Sequence, residues 1–396
     1  MIIIKFIFAI VFAYLYFNTV YIAVFAFAGL FAKKKSGFQV LEQKKSFVIF
    51  MPCYKGDEVI KHTAREALKV NYPKDKFRIV VIADSLQPET IADLQTLDLQ
   101  VVPVKFENST KAKSLKAALK AVKEHYDYAM ILDIDNIMEP AFLEKMNYHL
   151  RNNTRVLQAH RVALNTDTPF ALLDAISEEI NNHIFRKGHR VLGLSAAFIG
   201  SGKALEYNFY AAFIQEIDAI GGFDKEMELK LLKQKEYIEY ADNALVYDEK
   251  VQEAGRFQNQ RKRWLSAQFH YFSSHFFPAT LALLKGNLDY FDKMIQMILF
   301  PRLLLIGSLF LLTALSFLLQ LYPFIWLGTF LLALFSLLIS MPRAYYSKRT
   351  LLAVLHIPKA FFLMFATLFK LKGANKKFIH TEHSHVQKNE TDENRN

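Results

Sequence analysis

Two aspartates one residue apart, Asp133 and Asp135, close a short apolar run and could share one divalent cation. Hard ions such as Mg²⁺ or Mn²⁺ take carboxylate oxygens and bridge to substrate phosphates, so the pair suits a nucleotide diphosphate. Far downstream, Gln260-Arg261-Lys262-Arg263-Trp264 gathers guanidinium groups that can neutralise phosphate and an indole that offers a sugar ring a flat face. Apolar runs of membrane length follow it. Acids first, then a basic and aromatic cluster, then membrane: that order suits an enzyme moving sugars at a bilayer surface.

Between Lys45 and about Arg263, short apolar runs alternate with helical stretches. Ser46–Met51, Arg78–Ala83, Gln100–Val104 and Ala129–Leu132 read as buried strands, and residues 58–70 and 110–125 carry helical periodicity. Such alternation predicts an α/β domain with a mainly parallel sheet. In sheets of that kind ligands bind outside the carboxyl ends of the strands. Acidic residues fall at three of those ends: Asp57 and Glu58 after Pro52-Cys53-Tyr54, then Asp84, then Asp133 and Asp135. The competing reading is that Asp57 or Asp84 only caps the helix that follows. No glycine-rich loop with a following Lys-Ser/Thr is present, which argues against a P-loop nucleotidase.

The chain has 396 residues, 52% of them hydrophobic, and a formal charge of +11. A basic balance can meet nucleic acid, or lipid head groups and phosphorylated substrates. Here Lys and Arg cluster beside apolar runs, so the membrane reading is preferred and no nucleic-acid partner is expected. A single cysteine, Cys53, leaves no internal disulfide framework and fits a reducing compartment.

Ile2 to Ala32 is apolar apart from Lys5 and is long enough to span a bilayer. Ala26-Phe27-Ala28 resembles a cleavage site, but the run far exceeds the roughly 7–15 residues of a signal core. Lys33, Lys34 and Lys35 place the domain that follows on the cytoplasmic side of the cell membrane. Residues 269–294 are expected to be interfacial helices, interrupted by Ser273, Ser274 and His275. Residues 295–341 are expected to form a membrane hairpin turning at Tyr322-Pro323. Residues 351–371 carry His356, Pro358 and Lys359 near their middle, and a charge at bilayer centre costs about 2.5–3.5 kcal/mol. That segment reads as a helix lying in the interface, with a true span as the alternative. The polar tail 381–396 reads as disordered; its His383 and His385, with His380, could bind metal but are read as solvated.

These residues resemble the membrane-bound family 2 glycosyltransferases, whose catalytic domain has the GT-A nucleotide-sugar fold. The resemblance spans about Phe47 to Gln268. Pro52-Cys53-Tyr54-Lys55 stands where that family has its first strand-end motif, and Asp84 matches its nucleoside-holding aspartate. Lys111-Ala112-Lys113-Ser114-Leu115 resembles the lysine-bearing start of the helix before the metal site, which Asp133 and Asp135 match. Gly200-Ser201-Gly202 resembles the small-residue strand on the acceptor side. Gly221-Gly222-Phe223 precedes the place of the catalytic base, here Glu226, with Glu228 next along. Gln260-Arg261-x-Arg263-Trp264 is the most specific element and is associated with the processive polysaccharide synthases.

The resemblance implies an inverting hexosyl transfer from a nucleotide-sugar donor, a UDP sugar first, to a saccharide or lipid-linked acceptor. It implies donor contacts from Pro52, Tyr54, Asp84, Lys111, Lys113, Asp133, Gln260, Arg261 and Arg263, and acceptor contacts from Gly200, Ser201, Gly202 and Trp264. One departure stands out: Glu226 replaces the family's aspartate and is preceded by Lys225 rather than an acid. It leaves open which glutamate is the base, and it motivates a rival reading as a membrane-anchored sugar-nucleotide-binding protein with weak or no catalysis. A phosphatase of the haloacid-dehalogenase type would also use a strand-end Asp-x-Asp, but it wants Thr or Val where Ile137 stands.

Overall fold

A computed structural model describes residues 2–33, 38–219, 221–250, 252 and 254–368. The chain divides into two compact units, one drawn from Met1–Lys33, Thr166–Ser195 and Lys250–Lys372, the other from Lys34–Asn165 and Ala196–Glu249. The tail expected from 381, its histidines, and Lys34 and Lys35 lie outside the described residues.

The second unit is built on an eight-stranded sheet. Its strands are β1 (Phe47–Tyr54), β2 (Phe77–Asp84), β3 (Gln100–Val104), β4 (Tyr128–Ile131), β5 (Asn136–Met138), β6 (Val156–Ala163), β7 (Lys203–Glu206) and β8 (Ile238–Asp248). They lie in the order β3-β2-β1-β4-β7-β6-β8-β5. In β1, β2 and β4 the Phe, Ile, Val and Met side chains are buried on both faces, as the interior of a parallel sheet requires. The first four strands in that order are all parallel. Beyond β4 the sheet is mixed: β7 runs antiparallel to β4 and β6, β6 and β8 are parallel, and β5 is antiparallel to β8. Four of the seven strand pairings are parallel, so the sheet is mainly parallel as expected, with antiparallel pairs only beyond β4. The reason is local: β7 enters against the carboxyl end of β4, where the Gly202 amide donates to the Ile131 carbonyl at 3.0 Å.

Helix Lys111–Ala121 is started by Thr110, whose hydroxyl accepts from the Lys113 amide at 3.2 Å. Helix Phe223–Lys233 buries Phe223, Met227, Glu228, Leu231 and Leu232 along one side. One continuous core under the sheet includes Phe47, Ile49, Met51, Ile60, Val81, Met130, Phe142 and Leu157.

The first unit is helical. Helix Ile2–Leu30 packs Leu15, Ile22, Phe25 and Ala26 into a cluster with Ile176, Ile180, Ile184, Leu305, Leu309 and Trp326. Helix Pro169–Asn181 widens into a π-helical turn, Asn182–Gly188, before closing as His189–Val191. Gly188 is needed there, since a Cβ would sit 2.1 Å from the Phe25 carbonyl oxygen. The close approach lets the His189 ring stack on Phe25 with centroids 3.7 Å apart.

Among the described residues, three helices, Lys5–Leu30, Arg302–Leu319 and Pro323–Ser340, are long and apolar enough to cross a membrane, and a bent pair, Lys348–Val354 with Ile357–Leu368, makes up to four. Two expected boundaries are corrected. The run beginning at Ile295 belongs at first to a separate helix, Leu288–Ile298, and the membrane-length helix starts only at Arg302. Pro301 forces that break, because the residue before a proline is disfavoured in helix. Residues 269–284 are not a helix of their own but the second half of a 31-residue helix, Ala254–Leu284, that also carries Gln260–Trp264. Ser273 and Ser274 do not interrupt it, because both hydroxyls donate back to the His270 carbonyl, at 2.9 and 3.0 Å.

Candidate active site

The crevice at the carboxyl ends of β2, β1 and β4 is made by residues whose backbones are tightly held. The Lys55 amide donates to the Asp84 carbonyl at 3.1 Å and the Leu132 amide to the Phe50 carbonyl at 3.0 Å, so the strand ends stay in register. Asp84 is 1% exposed; one carboxylate oxygen accepts from the Ser85 hydroxyl at 3.0 Å and the other, Oδ2, is buried without a hydrogen-bond partner. A buried acceptor left open in this way is costly unless a donor reaches it. Asp57 instead accepts from the Gln87 amide at 2.8 Å; it is the first residue of helix Asp57–Ala67, which has no side-chain cap bond, so it does not cap the helix that follows. Pro52 lies within β1 opposite Ile82, and Tyr54, opposite Asp84, has the Lys55 ammonium 5.3 Å from its ring.

Asp133 follows β4. Its amide donates to the Ser201 hydroxyl at 2.9 Å, and its Oδ1 accepts from the Lys111 ammonium at 2.5 Å. The same ammonium donates to the Gly200 carbonyl at 2.9 Å. Asp135 accepts from the Asn136 side-chain amide at 3.0 Å, and that amide also reaches Asp248 at 2.9 Å. Gln158, fully buried, takes the Ile199 amide at 3.0 Å and donates to the Ser201 carbonyl at 3.0 Å, which fixes the Gly200-Ser201-Gly202 turn from below.

Gly200 is the point where two carboxylates meet. A Cβ there would lie 3.0 Å from Asp133 Oδ2 and 3.1 Å from Asp224 Oδ2, so a side chain would push into both. Asp224 was not singled out by sequence reasoning, nor was its partner Lys203, which donates to Asp224 Oδ1 at 2.7 Å. Burial would raise the Asp224 carboxyl, but the Lys203 and Lys111 ammonium groups, the Lys203 hydrogen bond and Arg161 bring it down to about 2. Burial also tends to lower the Lys111 ammonium, yet Asp133 and Asp224 carry it above its usual range. Asp224 and Lys111 are thus each shifted toward their charged forms, whereas burial moves the Lys203 ammonium below its usual range despite Asp224.

The two glutamates expected to supply a base are placed elsewhere. Glu226 turns to the other side of its helix, where it pairs with Lys230 at 2.8 Å. Glu228 is 3% exposed and accepts the Phe198 amide at 2.9 Å, which supports the loop from behind. Helix geometry explains both: positions 224 and 228 share a face, whereas 226 lies with 230. Lys113 is exposed, with its ammonium donating to the Asn108 carbonyl at 2.8 Å, and is not brought to Asp133.

Gln260–Trp264 belongs to the other unit. There Arg261 donates to Asp174 at 2.5 Å, and its guanidinium lies 4.6 Å from the Trp264 ring centre. Trp264 is 41% exposed, Arg263 is partly buried with its guanidinium pulled down by burial, and Gln260 keeps a buried carbonyl oxygen without a partner.

Among the described residues, no three or more His, Cys, Asp or Glu side chains group to hold a metal. A pair of carboxylates without a closed cage is the kind of donor set with which Mg²⁺ and Mn²⁺ keep water and phosphate oxygens in their shell.

The sequence model described as "Glycosyltransferase like family 2" matches residues 45–267, more than half of the chain. This chain belongs to that family. Among curated proteins none matches it in sequence. Solved structures similar in fold include a mannosyltransferase, PcManGT, from Pyrobaculum calidifontis, in complex with GDP-Man and Mn²⁺. It is 14% identical, with 90% of this chain and 98% of that one covered and a TM-score of 0.49. S. aureus TarS 1–349 in complex with UDP-GlcNAc is also similar, at 14% identity, with 86% and 95% covered and a TM-score of 0.45. Membership rests on the family match; these distant shapes add nothing to it.

Proposed function

We propose that this glycosyltransferase moves a sugar from a nucleoside diphosphate donor to a hydroxyl of a saccharide or lipid-linked acceptor at a membrane, inverting the anomeric carbon. One observation carries the reading: at one end of the sheet stand a buried, open carboxylate oxygen on Asp84 and, around Gly200, the facing carboxylates of Asp133 and Asp224. Asp84 offers that oxygen to an N–H of the donor's base. Asp133 and Asp135 would hold the Mg²⁺ or Mn²⁺ ion. When bound, such an ion offsets the charge developing on the leaving diphosphate. Lys111, already between Asp133 and the Gly200 carbonyl, adds a positive charge on the same side. Asp224 accepts the proton of the attacking hydroxyl, taking the role that the sequence suggested for Glu226 or Glu228. The acceptor platform at Trp264, and processive rather than single transfer, rest on the Gln-x-x-Arg-Trp motif alone.

The experiment is a nucleoside diphosphate release screen on the full chain in detergent or lipid. Its panel is UDP-glucose, UDP-galactose, UDP-N-acetylglucosamine and GDP-mannose, with membrane lipid extracts or oligosaccharides as acceptors and products sized. Acceptor-stimulated release from at least one donor, lost in Asp135→Ala, supports the proposal. Nucleotide binding without release from any donor would favour a binding protein instead.

A further inference from the structure

Lys203 has no part in the chemistry above, yet it is the most unusual side chain of the site. It opens β7, and its side chain is fully buried. Lysine is almost never fully buried unless paired. An ion pair in the interior gives little net stability over well-packed apolar residues of similar volume. Its use should therefore be sought in what it does to its partner.

That partner is Asp224, whose side chain is 35% exposed while the lysine is wholly enclosed. The ammonium takes Asp224 Oδ1 at 2.7 Å, and the remaining surroundings include the rings of Phe198 and Phe223, with centroids at 4.6 and 5.0 Å. Oδ2 is the oxygen beside Gly200 and Asp133. The lysine thus occupies one oxygen from inside the protein and leaves the other turned to the crevice.

We propose that Lys203 is a positioning residue: by gripping Oδ1 from behind, it holds Asp224 with Oδ2 aimed at the attacking hydroxyl. This deepens the reading of Asp224 as the base and rests on it. Misplacing a reacting group by about 1 Å can cost on the order of 10²-fold in rate.

The test uses the full chain, the best donor from the release panel, and UDP with Mn²⁺ as the binding probe. Lys203→Met should lower kcat about 10²-fold while donor KM and UDP affinity stay within about twofold. Lys203→Arg keeps a cation but cannot reproduce a point ammonium, so it should fall between, about tenfold below the native chain. The double variant Lys203→Met/Asp224→Asn should be no slower than Asp224→Asn alone. Native kcat in Lys203→Met overturns the proposal, as does a rise in KM with kcat unchanged, or full additivity in the double variant. Should Lys203→Met fail to bind UDP through misfolding, Lys203→Arg decides: unchanged kcat with UDP affinity retained contradicts the proposal. If Asp224→Asn itself transfers normally, the base reading falls. If Asp224→Asn is inactive while Lys203→Met is native, only the role of Lys203 falls.

Discussion

Two sets of ion pairs, one at the carboxyl ends of the sheet and one in the helical unit, differ in how far their carboxylates are exposed. In the sheet unit, Lys111 and Lys203 are held against carboxylates that are themselves about one-third exposed, at 32% for Asp133 and 35% for Asp224. In the helical unit the pairs are closed: Arg261 with Asp174 is 16% and 11% exposed, and Arg186 with Glu178 is 3% and 8%. Half-open pairs keep a carboxylate oxygen in reach of a ligand. The closed Arg261–Asp174 pair instead joins helix Ala254–Leu284 to helix Pro169–Asn181. A basic residue in a motif is therefore no guide to its work until its partner is known, and Arg261, bonded to Asp174 and stacked on Trp264, is held as part of the packing.

The contrast can be broken from either side. The largest effect is expected for Asp133→Asn and Asp135→Ala, which should each reduce transfer by about 10³-fold or more, measured as donor-dependent nucleotide release. Asp224→Asn should follow at about 10²–10⁴-fold in kcat, with donor KM held, because only the proton acceptor is lost. Arg261→Ala should act on stability instead. Stranding Asp174 without its partner should cost about 3 kcal/mol in a denaturant titration of the detergent-solubilised chain, whereas the paired change Asp174→Leu/Arg261→Leu should restore most of it. Smallest of all, Glu226→Gln should stay within about twofold of native turnover, since its half-buried pair with Lys230 lies off the face that carries Asp224. A large loss of kcat in that variant would return the base role to Glu226.

The strand ends were largely legible in the sequence, because apolar runs mark the strands. Apolar runs marked to within a residue where β2 and β4 stop, at one end of a parallel sheet, but β1 runs three residues past the expected Met51 and takes in Pro52-Cys53-Tyr54. The elements around Asp224 were harder to read. Strand β7 has only four residues and begins with a lysine, which in sequence looks like surface rather than the inner wall of a site. Asp224 sits in the Gly-Gly-Phe-Asp run and reads as a helix start with favourable dipole charge. The signal that would have found it was the helical period: Phe223, Met227 and Leu231 mark the inward face, Asp224 borders it, and Glu226 lies off it. Boundaries in the helical unit were missed for a simpler reason. Hydropathy merges Leu288–Ile298 with the helix after Pro301, and only the proline separates them.

The most direct test is a calorimetric titration of UDP and GDP into the full chain, with and without Mn²⁺ or Mg²⁺, repeated on Asp135→Ala. Binding of at least one nucleotide that needs the divalent ion and disappears in the variant is the predicted result. Equal affinity with and without metal, unchanged in Asp135→Ala, would contradict the assignment of Asp133 and Asp135 as the donor's metal seat.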